Sequence, residues 1–286
     1  KNFFFPPPAV LTLGCFIATM VLMSQYYGDI ADYYPNANLV GMIVSAVVFM
    51  VIMVVMWFVG DKRKMSDTRS IVYGAISIAL SFALSYAKLF KLPQGGSVTF
   101  ASLLPLMIYC CMFGTRRGLI VCTIYGVLQA LQDPFIIHPM QFLLDYPLAF
   151  GLIGVSGIFM EKGVFKDKKV VAFLLGGVLA VVLRYACHVC SGVFAFADYA
   201  DLDKYDTAIA YSMAYNSFAF VDMLIALVAG STLFASKSFS ALMQKSSDVN
   251  KAAEVKTEQP TDNEDEDLDE IDKQIIQNQE NNNNNQ

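Results

Sequence analysis

The sequence has few of the residues that bind metals or carry out acid–base catalysis. It contains two histidines and one tryptophan among 286 residues, and only 16% of its residues are charged. Nothing in it matches G-x-x-x-x-G-K-[ST], the pattern whose backbone N–H groups hold nucleotide phosphates. If ATP drives the work of this protein, another chain must therefore hydrolyse it.

The cysteines do not form a recognisable metal site. Cys187 and Cys190 flank His188 one helical turn apart in an apolar segment. A zinc site of this type requires a second pair of ligands, which the sequence does not offer. We therefore expect buried thiols, with no bound metal and no cofactor.

Long apolar segments fill most of the chain. Hydrophobic residues make up 56% of the sequence, which exceeds the usual share in soluble domains. A membrane-spanning helix needs about 20 mostly apolar residues. Eight segments approach or meet this requirement: 9–26, 38–60, 70–91, 98–114, 118–131, 139–160, 168–196 and 207–236. The sequence therefore predicts an all-α integral membrane protein.

Basic residues lie in alternate connecting loops. They form three groups: Lys62, Arg63, Lys64 and Arg69; Arg116 and Arg117; and Lys162, Lys166, Lys168 and Lys169. The intervening loops are nearly free of lysine and arginine. Because cytoplasmic loops carry the excess of positive charge, this pattern predicts a multi-pass plasma-membrane protein with both termini in the cytoplasm.

Composition divides the chain into three predicted parts. Residues 1–66 form an N-terminal extension of two membrane helices, and residues 67–240 form a membrane core of six helices. Residues 241–286 are rich in acidic residues and end in a run of asparagines. Such a segment buries too little apolar surface to fold alone, so we expect a disordered cytoplasmic tail.

Polar side chains interrupt three of the apolar segments. Asp145 lies in the sixth, Arg184 and His188 lie one turn apart in the seventh, and Tyr211 and Asn216 lie in the eighth. Helix lengths place all of them in the outer half of the membrane. Because charged groups in hydrocarbon are costly, they normally face a cavity or each other. Two interpretations remain open: an outward-facing binding pocket, or a buried ion pair or polar network that fixes helix packing.

Aromatic residues accompany these polar groups at the same depth. They are Phe135, Tyr146, Phe194, Phe196, Tyr199, Tyr211 and Tyr215. Tyrosine and phenylalanine also favour membrane interfaces, which accounts for part of the cluster. A carboxylate beside aromatic rings is nevertheless suited to a flat heterocyclic cation, through charge pairing and stacking.

Five segments carry a resemblance to a known family. They are LPQGGSV at 92–98, FGTRRG at 113–118, LDYPLAF at 144–150, LRYACH at 183–188 followed by Ser191 and Gly192, and AYSMAYN at 210–216. Taken in order, they resemble the thiamine-specific substrate-binding subunits of energy-coupling-factor vitamin importers. The resemblance implies a six-helix bundle that captures thiamine on the outer face. A transmembrane coupling subunit and two cytoplasmic ATPase subunits would supply the energy for transport.

The resemblance also assigns residues to roles. The family's contacts with the vitamin fall on Asp145, Tyr146, Arg184, His188, Tyr211 and Asn216. We expect Phe196 and Phe135 to add aromatic walls, because the single tryptophan, Trp57, lies outside the matched region.

The family's contact patch for the coupling subunit falls on Ala75 and Ala79. Small residues at this spacing allow two helices to approach closely. Packing of both alanines inside the bundle is the alternative.

Two other functional classes compete with this interpretation. A stand-alone cation-coupled carrier for thiamine or a related heterocyclic amine would transport without ATPases. An intramembrane enzyme is the more distant alternative, because Asp145 and His188 lack a nucleophile or a complete metal-ligand set. We expect a transporter subunit and not an enzyme.

Overall fold

The computed structural model describes residues 68–137, 139–165, 168–195 and 207–243. The predicted two-helix extension, residues 244–286 of the predicted acidic tail and Phe196 lie outside these ranges. The side chains of residues 139, 140, 194 and 195 are likewise not described.

The described residues are mostly helical. Helix α1 spans Thr68–Ser85, and a hairpin of β1 (Lys88–Lys91) and β2 (Ser97–Thr99) follows it. The remaining elements are α2 (Leu104–Phe113), α3 (Thr115–Gln132), α4 (139–161), α5 (Lys169–Ala195), α6 (Ala208–Asn216) and α7 (Phe218–Ala235), and residues 237–243 are also helical.

Four helical segments of the described ranges are long and apolar enough to cross a membrane. They are Thr68–Ser85, Gln141–Glu161, Lys169–Val193 and Ala208–Ala235, and α2 is a shorter apolar helix. The predicted class, an α-helical multi-pass membrane protein, is confirmed.

The hairpin corrects two predicted helix boundaries. The segments 70–91 and 98–114 were both expected to be helical throughout, yet Lys91 pairs with Ser97 and Lys88 pairs with Thr99 across an antiparallel ladder. Gln94 and Gly95 have φ angles of 54° and 88°, so the connecting turn uses backbone conformations that end a helix. A short apolar run does not by itself distinguish a helix from a strand, which is why the prediction was wrong here.

Helix α4 changes its winding twice. Residues Leu144–Leu148 form a π-helical turn, and Leu152–Gly157 form a 3₁₀ turn. Pro147 lies inside the π turn. Proline has no N–H to donate and interrupts the regular ladder, so a wider turn accommodates it. This turn carries Asp145 and Tyr146.

The core lies where α2 meets α3, α4, α5 and α7. Leu106 and Met107 of α2 pack in one buried cluster with Phe173 of α5 and Met223 of α7. Gly154 permits a close approach of α4 to α3, because a Cβ atom at this position would overlap the backbone of Leu119.

Gly154→Ala tests this close approach. A methyl group there must displace backbone, and overpacking of this kind costs about 1–3 kcal/mol of unfolding free energy. We expect a clearly lower thermal midpoint in detergent. Gly74→Ala is the matched control, because its Cβ would lie 3.0 Å from Val121 Cγ2, a side-chain atom that can shift. Equal midpoints for the two variants would contradict the packing described here.

Candidate ligand-binding site

A cavity lies among the hairpin, the end of α3 and helices α4 to α6. Its lining includes seven of the predicted site residues: Phe135, Asp145, Tyr146, Arg184, His188, Tyr211 and Asn216. The eighth, Phe196, lies outside the described residues. The fold thus brings together groups that are up to 81 positions apart in the sequence (135 to 216).

Asp145 is surrounded by hydrogen-bond donors. Ser191 Oγ donates to its Oδ2 atom at 2.7 Å, and Gln141 Nε2 donates to the same oxygen at 2.9 Å. His188 Nδ1 lies 2.8 Å from Oδ1. Asp145 lines the cavity and has no arginine or lysine partner among the described residues.

His188 is oriented by the same contact. When Nδ1 carries the proton and donates it to Asp145, the neutral ring keeps Nε2 as an acceptor. The Nε2 atom is buried and has no hydrogen-bond partner within the described part of the chain. It is therefore the atom of this ring with hydrogen-bonding capacity left for a ligand.

Arg184 lines the cavity but directs its charge into the protein. Its Nη1 atom lies 2.9 Å from Asp222 Oδ2, and the two side chains are 4% and 3% exposed. The guanidinium carbon also lies 4.7 Å from the centroid of the Phe150 ring. The second interpretation left open by the sequence was a buried ion pair that fixes helix packing. Arg184 forms a contact of this kind with Asp222.

Sequence reasoning missed Asp222. It lies in the predicted segment 207–236, within α7, so the rule that singled out Asp145 applied equally to it. The sequence also offers no reason to select Gln141 and Ser191, because uncharged polar residues are common in membrane helices. Only the fold places both beside Asp145.

Asn216 joins α5 to α6 at the cavity wall. Its Nδ2 atom donates to His188 O at 3.1 Å and to Ser212 O at 2.9 Å. Gly192 allows this approach, since a Cβ there would overlap the Ser212 hydroxyl. All hydrogen bonds of Asn216 within the described ranges run through Nδ2, which leaves the Oδ1 oxygen as the acceptor for a ligand.

Tyr211 and Tyr215 attach the hairpin to α6. The rings stack with centroids 6.1 Å apart. Tyr215 accepts from Gly96 N at 3.2 Å and donates to Pro93 O, and Tyr211 donates to Gln94 Oε1 at 3.4 Å. The turn between the strands therefore covers the cavity from the side of α6.

Tyr146 and Phe135 form the opposite wall. Tyr146 OH accepts from Phe135 N at 3.1 Å and donates to Asp133 O at 3.4 Å, so the phenol fixes the loop after α3. Gly95 packs against the Phe135 side chain, and any Cβ there would lie 2.9 Å from Phe135 Cβ. The turn of the hairpin thus rests on this aromatic residue.

Two lysines and one carboxylate form a cluster at the edge of the cavity, which Lys88 and Asp133 line. Lys88 Nζ and Lys91 Nζ lie 2.5 Å and 2.8 Å from Asp133 Oδ2. The hydrogen bond from Lys88, followed by that from Lys91, lowers the pKa of Asp133 from its ordinary value of 3.8. This cluster joins β1 to the C-terminal end of α3.

Asp133→Asn tests the contribution of this cluster. A folded-state pKa below the unfolded value means that the carboxylate stabilises the fold above the unfolded pKa and loses this effect as pH falls through the folded pKa. We expect the variant to melt slightly below wild type at neutral pH, since exposed pairs contribute little. The difference should vanish as pH is lowered below 3.8. A difference that does not change with pH would show that the charge of Asp133 has no part in it.

Comparisons with known proteins identify the family. A family model described as "Thiamine transporter protein (Thia_YuaJ)" matches residues 71–242. Thiamine transporter ThiT of Bacillus subtilis is 34% identical over 134 residues, which cover 44% of this chain and 68% of that protein. ThiT of Lacticaseibacillus paracasei is 27% identical over 172 residues, with 54% and 82% covered.

A solved structure of ThiT from Listeria monocytogenes has a similar fold. The TM-score is 0.52 at 22% identity, and the match covers 59% of this chain and 94% of that chain. At this identity the likeness concerns the fold. It agrees with the helical membrane class of the described residues.

The family assignment rests on the family model, which spans more than half of the 286 residues. It confirms the expectation of a transport protein and not an enzyme. The chain belongs to the thiamine transporter protein family.

Proposed function

We propose that this membrane protein captures thiamine in the cavity beneath the hairpin and is the substrate-specific subunit of an ATP-driven energy-coupling-factor importer. The observation that carries the proposal is Asp145, a cavity-lining carboxylate with three hydrogen-bond partners and no lysine or arginine partner in the described ranges. Thiamine brings a permanent cation and an aminopyrimidine, which together satisfy such a group. Family membership supports thiamine as the ligand.

Each predicted contact residue has a role in this proposal. Asp145 accepts hydrogen bonds from the aminopyrimidine and offsets the positive charge of the ligand. His188 Nε2 and Asn216 Oδ1 are acceptors that fix ring orientation. Stacking and edge contacts come from Tyr146, Tyr211 and Phe135, with Phe196 as a further predicted wall. Arg184 contributes the flat face of a guanidinium group whose charge is directed to Asp222.

The proposed orientation places the cavity on the outer face. Helix α3 carries Arg116 and Arg117 in its first turn, and Asp133, which lines the cavity, follows its last residue. Because basic residues mark the cytoplasmic side, the cavity lies at the opposite, outer side. This orientation and the sequence pattern both favour cytoplasmic termini in the plasma membrane.

Helix α1 is the proposed contact surface for the coupling subunit. It is the least buried of the four membrane-crossing segments, with 22% of its residues buried. Ala75 and Ala79 are exposed, as are the neighbouring Ile71, Ile76 and Leu80. Packing of the two alanines inside the bundle is therefore disfavoured, and the small side chains leave room for a partner helix.

Asp145→Ala tests capture of thiamine. Truncating one member of a buried charged contact costs about 2–5 kcal/mol, so calorimetric titration should show a large loss of affinity with the fold retained. Glu161→Gln is the matched control, because this carboxylate also lies on α4 but contacts Thr115 N at the far end of α3. Unchanged thiamine affinity in Asp145→Ala would contradict the proposed site.

Ala75→Trp tests the subunit interface. The bulky ring should block close helix approach, so uptake of labelled thiamine in cells with the coupling and ATPase subunits should cease while binding to the purified protein persists. Val228→Trp, at an exposed position of α7, is the control and should transport normally. Normal uptake by Ala75→Trp would contradict the proposed interface with the coupling subunit. Transport by the purified chain alone in vesicles would instead favour the stand-alone carrier.

A further inference from the structure

A second buried carboxylate, Asp222, lies behind the wall of the cavity. Both of its oxygens are engaged. Oδ2 pairs with Arg184 Nη1 at 2.9 Å, and Oδ1 accepts from Thr99 N at 3.0 Å and from Thr99 Oγ1 at 2.8 Å. Asp222 does not line the cavity, whereas Arg184 does. Asp222 therefore does not contact a ligand in the cavity directly.

The charge of Arg184 is the reason that Asp222 matters. A guanidinium group stays protonated, and in a low-dielectric wall an unpaired positive charge acts strongly on a ligand a few ångströms away. Such a charge would repel a cation from this cavity. With Asp222 at 2.9 Å the pair is formally neutral, so the charge of Arg184 does not oppose that of Asp145.

The same carboxylate joins the hairpin to the bundle. Thr99 is the last residue of β2, and its hydroxyl also lies 2.7 Å from Ser102 Oγ. One side chain of α7 therefore fixes both the base of the hairpin and the direction of Arg184. A shift of Asp222 would disturb the cover of the cavity and its electrostatic wall together.

We infer that Asp222 is the positioning residue that gives this cavity its preference for a cation, by neutralising Arg184 while holding Thr99 of the hairpin. The two carboxylates have different partners: Asp222 pairs with Arg184, and Asp145 contacts the ligand. The inference rests on the proposed function for the identity of the cation.

Asp222→Asn separates the charge from the hydrogen bonds. The amide Oδ1 still accepts from Thr99, but the negative charge opposite Arg184 is gone. The probes are thiamine and a neutral analogue in which a thiophene ring replaces the thiazolium. We expect the variant to bind thiamine about tenfold or more weakly by calorimetry, while the neutral analogue loses much less, because the unpaired guanidinium repels only the cation.

The double variant Asp222→Asn with Arg184→Gln provides the rescue. Removing the arginine charge as well should restore part of the thiamine affinity, although the guanidinium face that contacts the ligand is lost. It should also raise the ligand-free thermal midpoint above that of Asp222→Asn, because a buried unpaired charge is no longer present. If Asp222→Asn does not fold, a double variant that folds and binds thiamine supports the inference.

Several results would overturn the inference. They are unchanged thiamine affinity in Asp222→Asn, an equal loss for thiamine and the neutral analogue, or a double variant that binds no better than the single one. A double variant that fails to fold would also overturn the inference. Failure of the proposed function is recognised separately, because wild-type protein would then not bind thiamine, whereas the ligand-free midpoints would still report whether Asp222 neutralises Arg184.

Discussion

The pairing of charges inside a low-dielectric helix bundle is the constraint on which this structure depends. An isolated charge in such surroundings costs several kcal/mol, so each ionised group needs a partner. Arg184 and Asp222 form one such pair across α5 and α7. Asp145 instead collects hydrogen bonds from Gln141, Ser191 and His188. In the proposed function, a cationic ligand lies beside this carboxylate.

The hairpin is the element that turns a polar patch into a cavity. Contacts from three directions attach it: Tyr215 binds its turn, Asp133 binds the lysines of β1, and Asp222 binds Thr99 of β2. Val98 of β2 is fully buried, so apolar packing holds the hairpin together with these hydrogen bonds and ion pairs.

Sequence reasoning identifies the class and most of the cavity for one physical reason. Polar residues inside apolar segments are costly, so Asp145, His188 and Asn216 stand out from the sequence alone. The same rule applies to Asp222 and should have identified it. The hairpin could not be recognised because apolar content does not report the turn geometry at Gln94 and Gly95. The π turn in α4 and the partners of Asp145 depend on three-dimensional packing, which residue spacing does not encode.

The central claim is that the cavity binds thiamine through Asp145, a carboxylate without a lysine or arginine partner among the described residues. Calorimetric titration of the detergent-purified wild-type protein with thiamine, and separately with riboflavin, tests it most directly. The account predicts tight one-to-one binding of thiamine and no binding of riboflavin, which is uncharged at neutral pH. Absence of thiamine binding, or equal binding of both vitamins, would contradict it.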